Sequence, residues 1–217
     1  PGGPAFQARI EHQHGEHAHH QRRLRDVDPA GTADDQDLGH GRDERAGEAD
    51  PPTAVQVRSA ALLDSRDPHA VANAEALARR GVRAIKVKVG RGDARGEAAV
   101  VLALRSVLPD AVELRPDANR GWSVDDAVAF AEITSGAISF VEEPLADPRE
   151  LPELSRRAPL PVALDESLLD HPALADHPAV AAVVLKPTVL GGRRATLERA
   201  REAADRGQRA LVSATFE

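Results

Sequence analysis

The sequence predicts an α/β fold, a (β/α)8-type (TIM-like) barrel that stops after about seven strands. Three observations predict it. From residue 53 onward, short apolar, β-rich runs alternate with Ala-, Leu- and Arg-rich stretches of helical period, which is the pattern of βαβ units and of a parallel sheet. Right-handed crossovers can curl such a sheet into a barrel. The whole chain has 217 residues, short of the roughly 250 typical of a complete barrel, and an eighth strand is not visible.

In order, strands are expected at Val55 to Leu63, Ala84 to Val89, Val112 to Pro116, Ile138 to Val141, Pro161 to Leu164, Ala182 to Lys186 and Ala210 to Ser213. Helices are expected between them at 67–80, 94–107, 123–134, 147–157, 170–177 and 193–206. Asp67 followed by Pro68, and Ser123 ahead of Asp125 and Asp126, have the residue types that start helices, because a short polar side chain satisfies the first free N–H groups. Arg80-Gly81 and Arg206-Gly207 are stops, glycine being suited to the left-handed residue after a helix.

Residues 1–52 differ from the rest. Six of the nine histidines lie between His12 and His40, and Gly, Asp, Gln and Arg dominate. Apolar residues show no period there, so a low-order segment is expected. The cluster His12, His14, His17, His19 and His20 is read as a solvated tail, since no carboxylate or Cys completes a transition-metal site. Two domains follow: 1–52, and a barrel over 53–217.

The formal charge is -7, which argues against the basic surface that nucleic acid or an anionic membrane would select. There are no cysteines, so disulfides, thiolate metal sites and a thiol nucleophile are excluded. No apolar run is long enough for a membrane span and no signal-peptide pattern is present, so a cytoplasmic location is expected. Of 28 Lys and Arg residues only Lys86, Lys88 and Lys186 are lysines. A lysine kept against such a bias suggests a task that Arg, which cannot release its proton, could not perform.

Barrel chemistry gathers where strands end, at the C-terminal mouth. The second run ends Lys86-Val87-Lys88-Val89-Gly90, with both lysines on one face because side chains alternate along a strand. The next runs end Arg115-Pro116-Asp117-Ala118-Asn119, Glu142-Glu143-Pro144, Asp165-Glu166-Ser167 and Lys186-Pro187. From Lys88 to Asp117, Glu142, Asp165 and Lys186 the successive intervals are 29, 25, 23 and 21 residues, each suited to one βα unit. Charges set in apolar strands are costly unless paired or metal-bound. Carboxylates without Cys or His make a hard-oxygen site, suited to Mg2+ with Mn2+ as the alternative. A neutral lysine beside a dication is a competent general base.

These segments, together with Arg120-Gly121-Trp122, resemble in order and spacing the signature of the muconate-lactonizing branch of the enolase superfamily, over roughly residues 53–217. The resemblance implies Mg2+ ligation by Asp117, Glu142 and Asp165, with Glu143 as the runner-up to Glu142 because the doubled Glu leaves the register open. It implies Lys88 as the base, Lys186 across the site and Lys86 tuning Lys88. Arg115 and Asn119 are then polar groups of the inner rim, and Glu166 stands behind the ligands. Trp122 either covers the site or packs at the start of its helix.

Within the branch, Leu211-Val212-Ser213-Ala214-Thr215-Phe216-Glu217 looks like the seventh-strand segment of o-succinylbenzoate synthases, lyases that dehydrate a cyclohexadiene carboxylate in menaquinone synthesis. Ser213 would then lie near substrate. The expected partner is a small-molecule carboxylate, with neither nucleic acid nor membrane, and a homo-oligomer is compatible with this. The alternatives are a dipeptide epimerase, an N-acylamino acid racemase or a cycloisomerase of the same branch, and an inactive fragment.

Overall fold

The computed structural model describes residues 9–11 and 59–214. The chain divides into two units, and all described residues belong to the one comprising 1–15 and 57–217. The histidine cluster, the start of the strand expected from Val55, and Thr215, Phe216 and Glu217 lie outside the described residues.

After a three-residue strand β1 (Arg9–Glu11), the elements run β2 (Ala61–Asp64), α1 (Ala70–Arg79), β3 (Ala84–Lys88), α2 (Ala94–Val107), β4 (Glu113–Asp117), α3 (Val124–Thr134), β5 (Val141–Glu142), α4 (Leu151–Arg157), β6 (Val162–Leu164), α5 (Ser167–Asp170), β7 (Val180–Leu185), α6 (Arg193–Asp205) and β8 (Arg209–Ser213). Every pairing is parallel. Seven strands, β2 to β8, lie side by side in chain order as a curled half-barrel, and β1 extends the sheet beyond β8. No strand was expected within residues 1–52, so β1, which pairs Arg9 to Glu11 with Leu211 to Ser213, is a correction. It was missed because a three-residue run carries no readable period.

Local chemistry explains most boundaries. Ser123 Oγ accepts from Asp126 N while Asp126 returns a bond to the Ser123 N–H, a reciprocal cap that starts α3. Asp93 caps α2 by accepting from Gly96 N. Gly81 and Gly207 take positive φ after α1 and α6, as expected. Asp67 does not cap α1 directly. It accepts from His69 N and from the Asn73 amide, and the helix starts three residues later, at Ala70.

The helix expected at 170–177 is instead the short α5 followed by a 3-10 turn, Pro172–Asp176. Pro172 has no N–H to continue an α-helical ladder. The strand expected at Ile138 to Val141 shrinks to Val141–Glu142. Among the described residues, no helix is long and apolar enough to cross a membrane.

The strands carry two apolar faces. Ile85, Val87, Leu114, Val141, Val162, Leu164, Val183 and Leu185 join the helices in the larger core. On the other face Phe140, Ala163, Ala182, Val184 and Leu211 form a second, smaller cluster. Side chains alternate with period two. Two residues beyond four of these inner positions, the inner face therefore presents Glu142, Asp165, Lys186 and Ser213. The inner core is the floor of the candidate site.

Candidate active site

β3 carries Lys86 and Lys88 on the inner face. Register pairs Lys86 with Arg115, Lys88 with Asp117, and Asp117 with Glu142. Lys86 is buried, its Nζ 2.8 Å from Glu142 Oε1 and 3.0 Å from Asp117 Oδ2. Lys88 donates to Asp117 Oδ2 at 2.6 Å and Asn119 Oδ1 at 2.5 Å, and Asn119 N donates to Asp117 Oδ1. Asn119 and Arg120 both adopt positive φ, which turns the chain sharply over the mouth. On the opposite flank Lys186 Nζ lies 2.8 Å from Asp165 Oδ2 and 3.2 Å from the exposed Glu166 Oε1. The structure thus brings Lys86, Lys88, Asp117, Asn119, Glu142, Asp165, Glu166 and Lys186 to one mouth.

The electrostatics follow from crowding. Burial and the neighbouring charges of Asp117 and Asp165 push Glu142 up to about 8, against the pull of Lys86. Burial also raises Asp165, opposed by Lys186. Burial works against ionised Asp117 too, but Lys86 and Lys88 outweigh it and hold the carboxyl below its ordinary value. Lys86 and Lys186 meet the same competition from the other side. Burial alone would lower both, yet the adjoining carboxylates outweigh it and raise them.

Among the described residues, no three His, Asp or Glu side chains already converge around a point where a cation could sit. Each carboxylate is turned instead toward an ammonium. The donor chemistry fits a hard dication all the same. Three carboxylates, oxygen donors only, stand at the ends of adjacent strands, and the charge Glu142 feels from Asp117 and Asp165 is what a cation among them would neutralise.

The doubled glutamate separates cleanly. Glu142 faces Lys86. Glu143, at φ 42°, turns to the outer face, where its carboxylate accepts from Asp165 N (2.6 Å), Ser167 N (2.8 Å) and Ser167 Oγ (2.5 Å). Arg120 closes this network, donating to Glu143, to Ser167 Oγ and to Asp170. The sequence reading placed Arg120 in the signature but gave it no role, and no spacing rule announces this one.

Arg115 lies below the rim. Its guanidinium donates to Glu113 Oε2 and stands 5.7 Å over the Phe140 ring, which Arg209 approaches at 5.5 Å. Ser213 is buried on the inner face of β8. Trp122 is a packing residue: 1% exposed, it meets Phe130 at 4.5 Å between ring centroids.

The loops that hold these residues are tightly interlocked. A Cβ on Gly121 would lie 2.0 Å from Gly90 O, whereas one on Gly96 would meet only the Asp93 side chain, at 3.3 Å. Backbone cannot yield as a side chain can, so Gly121→Ala should cost about 1 to 3 kcal/mol. Gly96→Ala, inside a helix, should stay within about 1 kcal/mol of wild type. Urea unfolding of both variants checks this, and equal stabilities would refute the interlock.

Known proteins resemble this chain in sequence and fold. A family model described as "Enolase C-terminal domain-like" matches residues 69–214. The chain is 33% identical over 171 residues to the o-succinylbenzoate synthase of Yersinia pseudotuberculosis serotype O:3 (strain YPIII), covering 76% of this chain and 52% of that protein. It is 36% identical over 189 residues to Protein PHYLLO, chloroplastic, of Arabidopsis thaliana, covering 82% of this chain and 11% of that one. The chain thus spans about half the length of the synthase and a small part of PHYLLO.

Among solved structures, MenC from Desulfotalea psychrophila LSv54 superposes with a TM-score of 0.62 at 25% identity, over 73% of this chain and 46% of that one. A dipeptide epimerase from Cytophaga hutchinsonii, complexed with Mg and the dipeptide D-Ala-L-Val, gives 0.64 at 27% identity, over 73% and 45%. The strand-end lysines and carboxylates, the parallel half-barrel and these matches agree: the chain belongs to the enolase C-terminal domain-like family, and is related to o-succinylbenzoate synthase.

Proposed function

We propose that this chain carries the catalytic residues of a Mg2+-dependent lyase of the o-succinylbenzoate synthase type, which dehydrates a cyclohexadiene carboxylate. The observation that carries the reading is the placement of Lys88 and Lys186 on opposite flanks of the Asp117, Glu142 and Asp165 carboxylates, in a chain similar to such a synthase. Asp117, Glu142 and Asp165 would hold the ion. When bound, Mg2+ supplies positive charge facing the substrate carboxylate.

The chain's own groups then have distinct tasks. Lys88 first loses one of its protons to solvent, and as a neutral amine takes the proton on the carbon next to the carboxylate. The electron pair of that C–H bond becomes a double bond as the neighbouring C–O bond breaks. The departing hydroxide takes up the proton that Lys88 gained and leaves as water, which returns Lys88 to the neutral amine. Lys186, held as an ammonium by Asp165 and Glu166, faces the negative charge that develops. Lys86 stays protonated between Asp117 and Glu142 and keeps those carboxylates from repelling each other apart.

A second reading, epimerisation of a dipeptide or racemisation of an N-acylamino acid, is favoured by the likeness to the Cytophaga epimerase and by the lysine on each flank. Assaying the cyclohexadiene carboxylate beside a panel of dipeptides and N-succinyl amino acids separates the two. Dehydration is expected, abolished by EDTA and restored by Mg2+, and racemisation without dehydration would overturn the lyase reading. Because an ion that binds only the folded state stabilises it, Mg2+ at a hundred times its Kd should add about 2.7 kcal/mol of stability. An unchanged Tm at millimolar Mg2+ would count against the three-carboxylate site.

A further inference from the structure

We propose that Glu97, together with the indole of Trp122, is a positioning residue that holds Lys88 in place. The inference rests on the proposed role of Lys88 for its catalytic meaning, but its geometry is independent of that role. Glu97 belongs to α2, on the stripe shared with Ala94, Ala98, Val101 and Leu104, all buried. A carboxylate there faces the core, and burying it is costly unless it is bonded. Glu97 is 6% exposed and its two oxygens are engaged. Oε2 accepts from Gly90 N at 2.8 Å and from Trp122 Nε1 at 3.2 Å, and Oε1 accepts from Arg91 N at 3.0 Å.

These partners belong to the loops that leave β3 and β4. Gly90 is two residues past Lys88, and Val89 N donates to Asp117 O. Trp122 is three residues past Asn119, the group that accepts from Lys88. Trp122 also ties in the loop after β5, donating from its backbone N to Pro144 O and accepting from Ala146 N. Glu97 therefore clamps the start of one rim loop to the end of the next, and the Lys88 ammonium spans the gap between them. Neither Glu97 nor Trp122 reaches the mouth. Their effect on the site passes through the backbone at Gly90 and Arg91.

Three lysines in the chain make a direct test practical. Protein labelled with 13C at lysine Cε gives three side-chain resonances, assigned by single Lys→Arg substitutions. In Glu97→Gln and Trp122→Phe the Lys88 resonance should shift and broaden while that of Lys186 stays in place. Exchange of the Gly90 and Arg91 amides should quicken about tenfold, the loss expected of one charge-assisted hydrogen bond. In the dehydration assay kcat should fall by a similar factor with KM within about twofold.

Leu154→Ala, in α4, is the control for loss of stability alone, and should leave Lys88 unmoved. The proposal is overturned if Lys88 stays put while the Gly90 amide exchanges faster, or if Leu154→Ala moves Lys88 equally. The resonances need no turnover. A displaced Lys88 in a protein that dehydrates nothing would uphold the clamp and defeat the lyase reading, while a dehydratase indifferent to Glu97→Gln would do the reverse.

Discussion

Lys88→Arg is expected to lower dehydration about a thousandfold, within the range contributed by a positioned general base, while leaving the fold intact. The reason is the difference between the two cations. A guanidinium keeps the charge that pairs with Asp117 and Asn119 but cannot release a proton near neutrality. The Lys88 side chain is 24% exposed, so the larger head group has room at the mouth, and Tm should change little. Lys186→Arg should cost less, because under the proposed mechanism Lys186 needs only its charge. Solvent-deuterium exchange at the carbon next to the carboxylate reads the first step alone and should vanish in Lys88→Arg only. Equal losses in the two variants would point to a racemase, where both lysines move protons. Undiminished dehydration in Lys88→Arg would remove it as the base.

A large loss of stability is expected at Glu143. Its carboxylate is 2% exposed and accepts from two backbone N–H groups, one hydroxyl and Arg120. Glu143→Gln keeps the shape, but the new amide turns an N–H toward donors that need an acceptor. Leaving buried donors unsatisfied and breaking a charged pair should cost about 2 to 4 kcal/mol, at the lower end because Arg120 remains partly exposed. For a domain stabilised by roughly 5 to 15 kcal/mol this is a large share. Glu166→Gln, whose carboxylate sits exposed beside Lys186, should change stability by less than about 1 kcal/mol. Guanidinium unfolding of the two variants is the comparison, and a Glu143→Gln protein within 1 kcal/mol of wild type would show that the network contributes little.

The rim was legible because its signals are local. Strand ends are visible as apolar runs that stop, alternation puts residues two apart on one face, and charges at such positions are conspicuous. Lys86, Lys88, Asp117, Asn119, Glu142, Asp165, Glu166 and Lys186 stand at one mouth for those reasons. Glu97 left a fainter sign, an acidic residue inside an apolar helical stripe, which reads as an anomaly but does not name its partners. Alternation also implied that only one of Glu142 and Glu143 could face inward. It could not say which, since the answer lies in the positive φ of Glu143 and in donors more than twenty residues away.

By itself, then, the sequence determined the parallel βα succession, the strand-end positions of the lysines and carboxylates, and the acid, oxygen-only character of the site. Those follow from periodicity and residue type, which a chain displays without folding. The tertiary structure alone decided that Glu142 meets Lys86 while Glu143 binds the next loop, that Arg209 comes up to Glu113 and Phe140 beside Arg115, and that Trp122 packs beneath the rim. It also decided that Glu97 joins two loops. Each of these depends on which backbone N–H or side chain approaches from a distant part of the chain, and hydrogen bonds between remote loops leave no period to read.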